Sequence, residues 1–240
     1  MTRTLGSGSN VLSVKRTSVA GQVASAIRAK IFSGELTPGV QLQEISMAAS
    51  ANVARNTMRE ALQILVREGL VRHNVHHGFA VTQLTDQDID DIFRVRRLLE
   101  VSGVKAAAKA KVEHVATLDA IVEEIQRAVD ASDWPRSVES DLLFHRQLVS
   151  FLGSDRLNSF FGTTLSELRL ALVLVDRTSF DSTHLPVQHR ELAKLLRDGQ
   201  ISECVAQLNQ HLNESEHNIR DIISMHGANI QETTTIDGRG

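Results

Sequence analysis

Apolar residues in the first third of the chain fall into three runs with helical spacing. From Ser18 to Phe32, Val23, Ile27 and Ile31 recur every four residues, and the run stops at Ser33-Gly34, with Thr37-Pro38-Gly39 beyond it. A second, shorter helix covers Gln43 to Ser50. In ARNTMREALQILVREG, Met58, Ala61, Leu62, Leu65 and Val66 share one face, and Gly69 follows as a residue suited to a left-handed helix stop. LVRH and FAVT then read as two short strands around Asn74-Val75-His76-His77-Gly78. Three helices followed by a hairpin predict a winged helix-turn-helix over residues 18–84.

Beyond it the pattern is helical throughout. The run QLTDQDID marks the boundary, because Thr85 and Asp88 have the spacing of a capping box. Amphipathic segments follow near 86–109, 113–130, 136–151, 155–175, 184–198 and 201–225, with breaks at Ser132-Asp133, Gly153, around Ser182 and at Asp198-Gly199. The fold class is therefore mainly α: a winged head, then an all-α bundle of six or seven helices over residues 85–226. The polar stretches 1–17 and 227–240 are expected to be flexible tails.

Composition adds four constraints. A chain of 240 residues that is 42% hydrophobic can bury the core of each of two domains. Its one cysteine, Cys204, excludes an intramolecular disulfide framework and fits a reducing compartment. With no apolar run long enough for a signal peptide or a membrane span, a cytoplasmic protein with no membrane partner is expected. The net charge of −3 conceals an asymmetry: residues 1–85 carry nine Lys/Arg against four Asp/Glu, and the remainder seventeen against twenty-five. The head suits a polyanion and the bundle does not.

Candidate chemistry follows from that division. In the head, Asn56 and Arg59 lie off the apolar face of the third helix, where a major groove would read them, and Arg55 in its first turn can reach phosphate or a guanine edge. At the wing, His77-Gly78 allows close backbone approach to sugar-phosphate. In the bundle, ESDLLFHRQLV places Asp141 and His145 four apart, on one side of a helix. His189 in PVQHRELAKLL and His211 in AQLNQHLNESE also lie near apolar stripes, so four ligands could converge on a metal inside the bundle. The spacing equally allows a buried Asp–His hydrogen bond with the other two histidines elsewhere. A metal site would also admit a different class, a metalloenzyme acting on a small carboxylate, in which Glu214 is the candidate general base.

GELTPGVQL, NVARNTMREALQILVREGLV and HHGFAV, in that order, resemble the DNA-binding head of the GntR family of bacterial transcription regulators over roughly residues 18–83. Arg55, Arg59 and His77-Gly78 fall on positions that this family uses for operator contact. Three positions depart from the pattern. Ala54 replaces a hydroxyl residue, Asn52 a turn glycine, and Gln43 an arginine found in some relatives. The segments DLLFH, QHREL and NQHL resemble the ligand-bearing motifs of the FCD domain, the helical effector domain of the FadR-like branch, and the likeness extends over residues 86–225. It implies that Asp141, His145, His189 and His211 hold one divalent transition metal per chain, zinc foremost, with nickel, iron or manganese compatible. It further implies a cavity for a small organic acid. A carboxylate there needs a fixed cation with planar, bidentate donors: Arg96 in FRVRRLLE, at the family's arginine before a Leu-Glu pair, is the first candidate, and Arg169 in SELRLALVL the second. The expected whole is a homodimeric repressor, not an enzyme, on a pseudo-palindromic DNA operator.

Overall fold

The computed structural model describes residues 18–173 and 183–236, with the side chains described up to residue 223. The tail 1–17, the break expected around Ser182 and residues 237–240 lie outside the described residues.

Helix α1 (Val19–Phe32) starts at Ser18, whose hydroxyl accepts from the Gly21 N–H, and buries Ala20, Ala24, Ile27 and Ile31 along one stripe. A two-residue strand, β1 (Gln41–Leu42), leads into α2 (Glu44–Ser50). The turn to α3 (Arg55–Arg67) passes through Asn52 at φ 50°, so the asparagine adopts the left-handed conformation for which glycine is usual. Ala54 caps α3 without a side-chain hydrogen bond, as its missing hydroxyl requires. Met58, Ala61, Leu62 and Leu65 form the buried face of α3; Val66 sits at its edge. The helix closes at Gly69, φ 76°, with Leu70 N–H donating to the Leu65 carbonyl.

Strands β2 (Val71–Asn74) and β3 (Gly78–Val81) form the antiparallel wing, with Asn74 opposite Gly78. β1 pairs with the other edge of β3, giving the order β1-β3-β2. Two residues are too few to show an alternation, so this strand has no periodic signature in the sequence.

The capping box forms as expected: the Thr85 hydroxyl accepts from Asp88 N–H while the Asp88 carboxylate accepts from Thr85 N–H, and α4 (Asp86–Ala107) begins there. Then come α5 (Val112–Asp130), α6 (Trp134–Ser150), α7 (Asp155–Val173), α8 (Leu185–Arg197) and α9 (Ile201–Ile236). α6 packs among α4, α5 and α7, while α9 lies along α4 and α8. Gly103 sets the α4–α6 approach: a Cβ there would fall 2.1 Å from the Leu148 carbonyl oxygen. α9 continues about three turns beyond residue 225, where the sequence was expected to become a tail. The segment contains no proline, and Gly227 alone costs only about 1 kcal/mol of helix propensity.

Candidate metal centre and nucleic-acid interface

Three helices supply four donors to one point. Asp141 and His145 come from α6, His189 from α8 and His211 from α9; their ligating atoms all lie within 4.8 Å of one another. Asp141 Oδ1 is 3.0 Å from His189 Nε2 and 3.9 Å from His145 Nε2, and His145 Nε2 is 3.2 Å from His211 Nε2. All three imidazoles are buried and Asp141 is partly so.

The outer nitrogens decide the chemistry. His145 Nδ1 lies 2.6 Å from Glu100 Oε2, His189 Nδ1 2.7 Å from the Leu185 carbonyl, and His211 Nδ1 3.1 Å from Gln188 Oε1. Carbonyl and carboxylate oxygens only accept, so each neutral ring carries its proton on Nδ1. The orientation of Gln188 is fixed because its Nε2 donates to Glu214 Oε2 at 3.0 Å. Each Nε2 therefore turns a lone pair inward, toward the others and toward a carboxylate. His189 Nε2 is buried and makes no hydrogen bond. Converging lone pairs repel unless a cation lies between them, and ligands about 2 Å from one ion lie about 3–4 Å apart, as the Asp141–His189, Asp141–His145 and His145–His211 atoms do. The residues fit a divalent transition metal.

Electrostatics point the same way. Burial pushes the His145 and His211 imidazoles below their ordinary range, His211 well below, so both are neutral ligands near pH 7. Burial opposes ionisation of Asp141, yet its close contact with His189 and the charge that the surrounding imidazoles take up when protonated outweigh it and hold its carboxyl well below the usual range. Glu100 behaves alike: burial raises it, and Arg96 and His145 together bring it lower.

A cavity of about 70 Å³ adjoins the cluster, room for several water-sized groups. Its wall includes Asp141 and His211 and, from α4, Arg96. Arg96 is 1% exposed; its Nε donates to Glu100 Oε1 at 2.8 Å, and its Nη2 has no partner. Arg169 is not at this cavity. On α7 it is the neighbours Leu168 and Leu172 that line the wall, and Arg169, turned about 100° from Leu168, lies 4.0 Å over the Phe32 ring of α1. Glu214, the candidate base, also lines the cavity, but it is occupied in accepting from Gln188 and Gln210, and through Gln188 it backs the candidate donor His211.

Glu100, Gln188 and Glu214 thus support the candidate donors, and neither Glu100 nor Gln188 stood out in the sequence. The available signal was periodicity: Arg96 and Glu100 fall on the same stripe as Phe93, Gly103 and Ala107, where charged groups need partners.

In the head, Arg55, Asn56 and Arg59 are all exposed on α3, and Arg55 Nε lies 3.3 Å from Glu44 on α2. His77 and Gly78 are exposed at the wing turn, with Gly78 at φ 74° and nothing within 4 Å of where a Cβ would sit. Residues 19–81 match the description "Bacterial regulatory proteins, gntR family", and residues 91–214 match the FCD domain. The chain belongs to the GntR family. The three helix-borne histidines and Asp141 lie within its FCD match, and the five exposed head residues lie within its gntR match.

Among GntR relatives, the gluconate operon transcriptional repressor of Bacillus licheniformis is 32% identical over 137 residues, 57% of this chain and 56% of that one. The HTH-type transcriptional regulator YdhC of Bacillus subtilis is 30% identical over 132 residues, 54% of this chain and 59% of its own length. The chain thus spans less than two thirds of either relative. A GntR transcriptional regulator from Rhodococcus sp. RHA1 has a solved structure that superposes with a TM-score of 0.74 at 28% identity, covering 84% of this chain and 97% of that chain. No helix among the described residues is long and apolar enough to cross a membrane.

Proposed function

We propose that the protein is a DNA-binding transcriptional repressor whose bundle senses a small organic acid beside a metal ion. The observation that carries this reading is the meeting of two unsatisfied groups beside one cavity: the inward-facing lone pairs of His145, His189 and His211 with the Asp141 carboxylate, of which Asp141 and His211 reach the cavity wall, and the buried, unpartnered Nη2 of Arg96. A bound divalent metal, zinc first and nickel, iron or manganese after it, would supply a Lewis-acid centre that accepts a carboxylate oxygen. Arg96 would hold the other oxygen through its planar guanidinium, while Glu100 fixes both Arg96 and His145.

The head does the reading. Arg55, Asn56 and Arg59 enter the major groove, and His77-Gly78 lies along the backbone. One head spans too few base pairs for useful specificity, so a homodimer on a pseudo-palindromic operator follows. Acid and operator are then coupled reciprocally: each weakens binding of the other by the same factor.

Selection of bound fragments from the source genome, at fixed near-physiological salt, tests this with wild type and Arg55→Ala side by side. A short inverted repeat recovered by wild type alone, and released by one of a panel of small mono- and dicarboxylates, is the expected result. Unselective DNA from both proteins would overturn the assignment, because phosphate attraction alone gives that outcome.

A further inference from the structure

We propose that α7 is the element through which the cavity and the DNA-binding head sense each other, with Glu167, Arg169 and Val173 as the positioning residues on its head side. The inference rests on the reading of the bundle as a sensor and adds what carries the signal. Leu168 and Leu172, one turn apart, form part of the cavity wall. The residues between and beside them leave the helix by other faces and reach the head at three points. Arg169 places its guanidinium 4.0 Å over the centroid of Phe32, the last residue of α1. Val173 Cγ1 lies 3.6 Å from where a Cβ on Gly34 would sit. The Glu167 side chain occupies the space such an atom on Gly69 would need, with Oε1 at 2.5 Å and Cγ at 2.6 Å.

These contacts share one property: they fall on the C-terminal ends of the head's two long helices. Gly34 and Gly69 both have positive φ, 79° and 76°, and close α1 and α3. α3 carries Arg55, Asn56 and Arg59, so a small displacement of α7 by whatever fills the cavity is delivered to the far end of the helix that reads DNA. A packed helix passes such a displacement on because its neighbours have discrete packings and do not deform continuously. Among the described residues Arg169 has few alternatives to its Phe32 contact: Glu139, its ion-pair partner there, is 3.8 Å away and largely exposed. α4 offers a second, covalent route, braced by Arg72–Asp88 at 3.2 Å.

The test needs no known effector. Hydrogen exchange of the full-length protein is followed in the segments 33–36 and 67–70, whose amides Gly34, Leu36, Gly69 and Leu70 are all hydrogen-bonded. Leu172→Ala trims the cavity wall, and is made in wild type, Arg169→Ala, Phe32→Leu and Arg72→Ala backgrounds. In wild type and Arg72→Ala it should speed exchange in those segments by about two- to thirtyfold, the range for residues on a coupled network. In Arg169→Ala and Phe32→Leu the increase at 33–36, where Arg169 meets Phe32, should be clearly reduced, while that at 67–70, where Glu167 makes the contact, should persist. Equal effects in all four backgrounds, no effect reaching the head, or loss of the effect in Arg72→Ala alone would each overturn the proposal. Zinc content measured on the same samples speaks to the sensor reading separately: a chain that binds no metal would sink that reading and leave the exchange result standing.

Discussion

The head and the bundle solve opposite problems. The head turns the side chains we assign to DNA reading outward, on a helix whose buried face is complete without them, so Arg55, Asn56 and Arg59 can change with little consequence for folding. The bundle turns its candidate metal donors inward, where each needs another residue to fix its proton and its angle. Asp141, His145, His189 and His211 are accordingly accompanied by Glu100, the Leu185 carbonyl and Gln188. A surface site is a set of residues; a buried one is a set plus its supports, and the supports are as exposed to mutation as the ligands themselves.

That contrast is sharpest where backbone packing and the site coincide. Gly103→Ala pushes a methyl against the Leu148 carbonyl and separates α4 from α6, the helices bearing Glu100 and His145. A loss of about 1–3 kcal/mol in chemical denaturation is expected, together with weaker metal binding. The matching change in the head, Arg59→Ala, should leave denaturation unaltered and remove about 1–3 kcal/mol of discrimination for one base pair in competition binding. If the head variant also unfolded earlier, the separation of recognition from folding would be wrong.

Smaller effects come from the supports. Glu100→Gln keeps the shape but exchanges the carboxylate behind His145, and metal affinity should drop by about 10–100-fold in a chelator competition. A drop of less than twofold would mean that His145 needs no outer carboxylate. The pH response follows from the lowered imidazoles. The folded state binds fewer protons than the unfolded one below the ordinary histidine value of 6.5, so metal-free stability should fall as pH drops from 6.5 toward the depressed values of His145 and His211, and be level above it. Smallest is a gain: Ala54→Ser supplies the side chain that α3 lacks at its cap and should raise head stability by about 1 kcal/mol.

Legibility in the sequence divides along the same line. Helix α3, the wing and the Thr85 capping box were readable because local pattern and tertiary structure agree, and helices α4 to α8 begin and end within about two residues of the spacing that announced them. β1 was not readable, since Gln41-Leu42 pairs with β3 through backbone groups that carry no sequence signature. The cluster of candidate donors was half legible. Asp141 and His145 share a helix side, but His189 and His211 are 44 and 66 residues beyond His145, and only the fold brings them together. Arg169 was misplaced from the cavity because charge alone does not say which face of a helix meets which neighbour. Its side of α7 faces the head, and Leu168 and Leu172 take the cavity side.

The central claim is that four donors from three helices form one metal site, and metal analysis of zinc-loaded, dialysed protein tests it most directly. Wild type should retain one equivalent per chain and gain thermal stability on loading, and His189→Ala should retain little and gain nothing. Equal retention by both proteins, or none by wild type, would contradict the account.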